Sequence, residues 1–378
     1  MMPFSVSGSP AADAAASVGL VVALFGALYA IAAWLTRPPP KTVGKVTSII
    51  VYPLKSARGV PVQKHVLDER GLAFDRIWMV VDENGAFLSQ RRAPKLATIE
   101  VKLPTSHQDP LRASAPGAKP LVAPVVHGDA SSVRCWDDRC AAYDQGDAAA
   151  AWFANVLGVE GARLVRMADG ARRQCDRRYA HAGSLTAFSD GFPLLLASEA
   201  SLGELNQRLK ARGKPTVPMN RFRPNVTIAG DAARLGPFDE DGWGGVSISG
   251  LRWPQRRHGV AFGVVKPCAR CKMPTIDQVT GVPDKRGTSQ ATRGTPDDDD
   301  EGGGPAAEAE PTATLRTFRS GQLLGYKKPG WKCDVFFGQN LVCHSPPGST
   351  LAVGDEVEAT PRRPRGLFSS GVRGVDWI

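Results

Sequence analysis

Cysteine is scarce in this 378-residue chain and present in an odd number: Cys135, Cys140, Cys175, Cys268, Cys271, Cys333 and Cys343. A secreted disulfide framework needs a dense, even set, so a reducing compartment is expected. Only Cys268 and Cys271 are spaced suggestively; no second pair accompanies them and the six histidines are scattered, which argues against a structural zinc site. No Lys/Arg block is interleaved with aromatics, so nucleic acid is not an expected partner in spite of a net charge of +10. A membrane surface or an anionic ligand held inside remains to account for that charge, beside a basic surface that only aids solubility. Met1 to Ala12 contains no Lys or Arg, unlike the basic start of a cleavable signal.

What is present begins with an apolar run. Residues 14–35, including Val18-Gly-Leu-Val-Val-Ala-Leu-Phe25, carry no charge, and that length suits a helix across a hydrocarbon core of about 30 Å. Trp34 stands at its far end, followed by Arg37, Lys41 and Lys45. This flank predicts a membrane anchor with the body of the protein in the cytosol. Residues 1–13 are a short tail, and 36–45, with Pro38–Pro40, a linker that stops the helix.

Hydrophobic residues at 42% and charged residues at 22% describe an ordinary globular body, and 40 Gly with 30 Pro predict many turns and few long helices. Val46–Val51 reads as a buried strand, and Trp78–Asp82 with Ala86–Ser89 as a hairpin around Asn84-Gly85. Short strands at 99–103, 121–126 and 164–167, with a helix opened by Asp147 and closed by Gly158, give the first domain, 46–180, a barrel-like character. Arg172, Arg173, Arg177 and Arg178 read as a basic, linker-like stretch. In the second domain, 181–360, Ser198 starts a helix with Leu202, Leu205 and Leu209 on one face, and strands follow at 225–228, 246–248, 260–265 and 334–342. Residues 286–313, with Asp297–Asp300 and Gly302–Gly304, read as a disordered acidic insertion, and 361–378 as a tail.

The chemistry concentrates at strand ends. Pro267-Cys-Ala-Arg-Cys271 ends a strand-rich segment, without the βαβ setting of a redox dithiol. A single thiolate on a soft transition metal, whose other ligands come from a cofactor, fits this spacing; so do two inert buried cysteines. Lys55 and Ser56, Arg76, and Arg223 with Asn225 close or open other strands. They offer the guanidinium, ammonium and amide groups that suit a phosphate.

Taken in order, Val51-Tyr-Pro-Leu-Lys-Ser56, Phe74-Asp-Arg-Ile-Trp78, Ser189-Asp-Gly-Phe-Pro193, Arg221-Phe-Arg-Pro-Asn225 and Cys268-Ala-Arg-Cys271 resemble the MOSC-domain family, most of all its amidoxime-reducing members. Ser198 to Leu202, Phe337-Gly338 and Val353-Gly-Asp355 extend the likeness over roughly 46–359. The resemblance implies an α+β, β-rich fold: an N-terminal MOSC β-barrel domain, then a MOSC β-barrel domain, preceded by one transmembrane helix. It implies a molybdenum cofactor, molybdenum bound to molybdopterin, with Cys271 as the metal ligand. Lys55, Ser56, Arg76, Gly191, Phe192, Arg223 and Asn225 would hold the pterin and its phosphate. Asp190 would lie near the metal, as a proton donor or a group ordering water. The implied activity is reduction of N-hydroxylated compounds with electrons from NADH through cytochrome b5 reductase and cytochrome b5. The implied location is the outer mitochondrial membrane, with endoplasmic reticulum the other candidate.

Gly191 and Phe192 stand where the animal enzymes carry two hydroxyl residues, so backbone amides would take over there; Pro274 replaces a Thr, and residues around 254–258 look inserted. Two other functions compete: a sulfur carrier for cofactor maturation, and a non-catalytic membrane-bound binding module.

Overall fold

The computed structural model describes residues 39–249, 259–284 and 309–362. The expected anchor at 14–35, the 254–258 segment, most of the acidic insertion and the tail from 363 lie outside these residues. Among the described residues no helix is long and apolar enough to cross a membrane.

The β-branched run at the start of the body forms the strand Lys41–Val51, longer than the expected Val46–Val51. Val43, Val46, Ile49 and Val51 are buried on it. It pairs antiparallel with Val226–Ala229 on one edge and with Glu356–Pro361 on the other. These two pairings close a seven-stranded barrel. From Val226–Ala229 the order runs through Leu194–Ser198, Phe336–Cys343, Val260–Ala269, Trp243–Ser249 and Glu356–Pro361 to Lys41–Val51. Neighbours are antiparallel except Leu194–Ser198 with Val226–Ala229. At the seam two glycines are required by space: a Cβ on Gly44 would lie 2.0 Å from the Ala229 carbonyl oxygen, and one on Gly230 2.1 Å from that of Val43. The barrel core gathers Leu196, Ile228, Val246, Phe262, Leu341 and Val357.

A second sheet, Trp78–Val81, Arg163–Met167, Asp138–Asp144 and Ser131–Cys135 in that order, forms a half-barrel. Its core holds Trp78, Met79, Val80, Phe153 and Leu164. The helix Asp147–Leu157 packs on it through Ala149, Phe153 and Val156. Gly158 ends that helix in the left-handed region, as its sequence position predicts. Asp147 does not cap it; Gly146 takes that place, and the Asp147 carboxylate pairs with Arg163 at 2.9 Å. Ser198 does cap the helix Glu199–Ala211, accepting from the Ala200 N–H, and Leu205 and Leu209 are buried beneath it.

Four further segments differ from expectation. Arg173 belongs to no linker: it sits in the short strand Arg173–Gln174, buried. The end of the expected insertion is ordered, because the helix Thr312–Arg319 buries Leu315 against the barrel side. Pro361 completes the last barrel strand, and the Arg362 N–H donates to the Gly242 carbonyl at 2.7 Å. Ala86–Ser89 forms only single bridges, Val81 with Phe87 and Ala86 with Arg134, not a paired strand.

Candidate active site

Strand ends from both sheets converge on one cleft of about 800 Å³, solvent at its mouth included. Lys55 and Ser56 follow the first barrel strand, Arg76 precedes Trp78–Val81, Arg223 and Asn225 precede Val226–Ala229, and Cys268 and Cys271 end Val260–Ala269. With Asp190, Gly191 and Phe192 from the loop before Leu194–Ser198, all nine residues expected at the site line this cleft, and Cys268, not among the nine, lines it as well. The pairing of Val260–Ala269 with Phe336–Cys343 shifts register twice, between Val264 and Lys266 and again at Cys268, the usual use of bulges beside a site.

The backbone is strained in the same place. Six non-glycine described residues have positive φ, and four of them, Ser56 (68°), Arg76 (51°), Trp136 (58°) and Arg223 (55°), line the cleft. Each such residue costs about 1–3 kcal/mol and persists only when its surroundings dictate it, which is typical of ligand clamps.

Five basic side chains, Lys55, Arg76, Arg91, Arg223 and Arg270, face one carboxylate, Asp190. Both Arg76 and Arg223 sit over the Tyr52 ring, at 4.5 and 4.3 Å from its centroid. Beneath them Asp75 is buried and pairs with Arg76. Burial opposes the Arg76 charge, but Asp75 outweighs it and holds the guanidinium above its usual range. Among the described residues Arg223 has no such counter-ion: Gln278 accepts from its Nη1 at 3.2 Å, and its buried Nη2 has no partner there. Burial pulls this guanidinium down to about 10, with Arg76 adding to the effect. It is an under-compensated cation, built for an anion.

Asn225 lines the cleft, yet its amide is fully engaged within the protein. Its Oδ1 accepts from Arg76 Nη1 (3.0 Å) and the Leu195 N–H (3.2 Å), and its Nδ2 donates to the Ile50 carbonyl (3.1 Å) and Asp75 Oδ1 (3.0 Å). That uses both donors and both acceptor positions, so Asn225 acts on the site by orienting Arg76.

Asp190 accepts from Lys55 Nζ at 2.7 Å and from Trp136 Nε1 at 3.0 Å. The enclosing walls push its carboxyl up, but Lys55 and Trp136 outweigh them and hold it well below the usual carboxylate range. Held ionised by Lys55 and Trp136, Asp190 fits the expected role of a group ordering water. Its side chain is 70 % exposed, so the pair with Lys55 contributes little to stability. Arg173 fixes the backbone beneath it, donating to the carbonyls of Ala187 (2.9 Å), Ser189 and Asp190 (3.0 Å) while pairing with Asp138. Gly191 opens onto free space, with no atom within 4 Å of where a Cβ would stand.

Cys271 is half-buried in the cleft wall and in no disulfide. Burial pushes its thiol up, against the Met273 N–H and the Arg270 charge; a coordinating metal displaces such a proton outright. Arg270 hydrogen-bonds the other sulfur, Cys268 Sγ, at 3.0 Å and the Phe222 carbonyl at 2.9 Å. Cys271 is therefore the thiol left for a ligand. Tyr52, Trp136, Arg173 and Gln278 also serve the site; of these only Tyr52 lies inside a sequence motif that points to it.

A barrel-end cleft with a thiol facing a wall of cations has the donor chemistry that suits an anion and a soft metal. Residues 43–160 match the MOSC N-terminal beta barrel domain and residues 184–358 the MOSC domain. Mitochondrial amidoxime-reducing component 1 of Mus musculus is 29% identical over 94% of this chain and 94% of its own length. Mitochondrial amidoxime reducing component 2 of Rattus norvegicus is 30% identical over 72% of this chain and 78% of its own. A molybdenum cofactor sulfurase of Bos taurus is 30% identical over 62% of this chain, which spans only 27% of that protein. The chain belongs to the MOSC-domain family. Its relatives tie it to the molybdenum cofactor and to an enzymatic role.

Proposed function

We propose that this protein is a molybdenum-cofactor oxidoreductase that reduces N-hydroxylated compounds, such as amidoximes and hydroxylamines, to the parent amidine or amine. The observation that carries the reading is the pairing of a free, half-buried Cys271 with the uncompensated Arg223 across one strained cleft. The donor set suits the group: Cys271 would supply the thiolate, Arg223, Arg76 and Ser56 the phosphate contacts, and the amides of Gly191 and Phe192 further hydrogen bonds. When bound, the cofactor supplies a two-electron change of oxidation state at a centre able to accept oxygen from an N–O bond.

The chain's own residues do the rest. Arg76 and Arg223, held over Tyr52, fix the anionic end of the group, and Asn225 keeps Arg76 in place. Asp190, ionised between Lys55 and Trp136, orders water at the mouth; Lys55 keeps an N–H for a ligand beyond its bonds to Phe188 and Asp190. The overall step consumes two electrons and two protons: the N–OH bond breaks, N–H forms and the oxygen leaves as water. We assign the electrons to NADH through cytochrome b5 reductase and cytochrome b5. We infer a location on the outer mitochondrial membrane; relatives named as mitochondrial components support the mitochondrial part of that reading.

Metal content tests this. The wild-type protein, purified from a host that makes the cofactor, should hold near-stoichiometric molybdenum and reduce benzamidoxime with cytochrome b5; Cys271→Ser should lose both. Well-folded wild type without molybdenum would sink the proposal. Molybdenum without turnover of any N-hydroxy compound would favour a maturation role.

A further inference from the structure

The rim beside Phe192 carries charge that the reduction of substrate does not use. Two surface segments, 175–181 and 321–334, meet there: Lys328 Nζ donates to the Tyr179 hydroxyl at 3.3 Å. Under them lies an aromatic stack. Trp331 and Tyr179 are parallel within 15° at 6.2 Å, and Tyr179 meets Phe192 edge-on at 6.2 Å. Phe192 is part of the cleft wall. The stack therefore leads from just below the surface to the site in two steps.

Above it, Arg177, Arg178, Lys327, Lys328 and Lys332 are exposed, and Leu323 among them is 62 % exposed. Lys266 lies below, 5.2 Å over the Tyr179 ring and 5.1 Å over that of Trp331. The acidic residues of these segments are Asp176 and Asp334, both half-buried, and Asp176 is held by Arg178. Arg177, Lys327 and Lys332 make no ion pair among the described residues.

We propose that this rim is the docking surface for an acidic electron-carrying protein that reduces the site. The proposal rests on the oxidoreductase reading above. Exposed cations on two adjoining segments that also carry the exposed Leu323 suit a brief redox encounter, whose interface is at the small end of protein contacts. Complementary charge there raises the rate of encounter and sets orientation rather than adding lasting affinity. Each encounter delivers one electron, and two reduced donors with two protons convert N–OH to N–H and water. An anionic lipid surface would also attract these cations, but it gives no reason for the aromatic stack to run from beneath them to the cleft wall.

The test uses the full-length holoprotein and the variant Arg177→Glu/Lys327→Glu/Lys332→Glu, which touches no cleft residue. Benzamidoxime reduction is driven either by reduced cytochrome b5 or by dithionite-reduced methyl viologen, which needs no protein docking. The variant should lose about ten-fold or more in kcat/KM for cytochrome b5, with the salt dependence of the wild type largely gone. Its viologen-driven rate and molybdenum content should match wild type. The corresponding triple Gln variant should fall between the two. An unchanged cytochrome b5 profile in a variant active with viologen would overturn the docking surface; if binding to phosphatidylserine vesicles fell instead, the patch would belong to the membrane. Absence of viologen-driven activity in the wild type would refute the oxidoreductase reading itself.

Discussion

Glu240 lies outside the cleft, fully buried, with Ser201 donating to its Oε1 at 2.7 Å and no partner for Oε2. Burial pushes its carboxyl up to about 7; the Ser201 hydrogen bond opposes this and the Asp241 charge adds to it. Arg319, the nearby cation, is already paired with Asp241 at 2.7 Å. In the unfolded chain the same group releases its proton near the ordinary value of about 4.3. The folded pKa is thus raised, and between these two values the folded protein holds a proton that the unfolded chain has lost. Stability then falls with rising pH at about 1.4 kcal/mol per pH unit, a loss of about 4 kcal/mol complete just above pH 7. Glu240→Gln keeps the neutral shape and has no proton to lose. Urea unfolding followed by tryptophan fluorescence, from about pH 4 to 8, should show the variant gaining on wild type as pH rises, with the difference levelling above pH 7. Other titrating groups cancel in that difference. A difference independent of pH would refute the argument.

Two shorter expectations concern the cleft. Asn225→Ala strips partners from the Leu195 N–H, the Ile50 carbonyl and Arg76, and should cost about 3 kcal/mol in urea unfolding together with lowered molybdenum content; a loss under about 1 kcal/mol with full metal would contradict its positioning role. Cys268→Ser keeps an acceptor for Arg270 and should retain molybdenum close to wild type, whereas loss as deep as in Cys271→Ser would make Cys268 a ligand as well.

The cleft was legible in the sequence because its residues sit at strand ends inside short, recognisable motifs, and strand ends are where barrels build sites. Ser56, Arg76 and Arg223 could be named, but not their left-handed backbone, since nothing in Ser or Arg announces positive φ. Arg173 reads as part of a linker because a buried arginine and a solvated one look alike in a basic stretch; only the carbonyls of 187–190 distinguish them. The helix Thr312–Arg319 was hidden by the acidic, glycine-rich residues before it, although Leu315 and Thr314 are fully buried. Asp147 had the right chemistry for a cap, but Arg163 competes for its carboxylate.

The barrel seam bears on how the chain is made. Lys41–Val51, the first described strand, is locked between Val226–Ala229 and Glu356–Pro361, partners about 180 and 300 residues further along. Contacts so distant in sequence form late and slowly. During synthesis the half-barrel core, drawn from residues 54–188, has all its pieces well before the ribosome reaches the last strand. Val226–Ala229 can cover one edge of the first strand once it is made, but the edge that Glu356–Pro361 covers must wait until that last strand emerges. A chain cut short before Glu356 keeps every cleft residue yet leaves that strand with an open edge, so the expected fate of such a product is aggregation rather than a partly active enzyme.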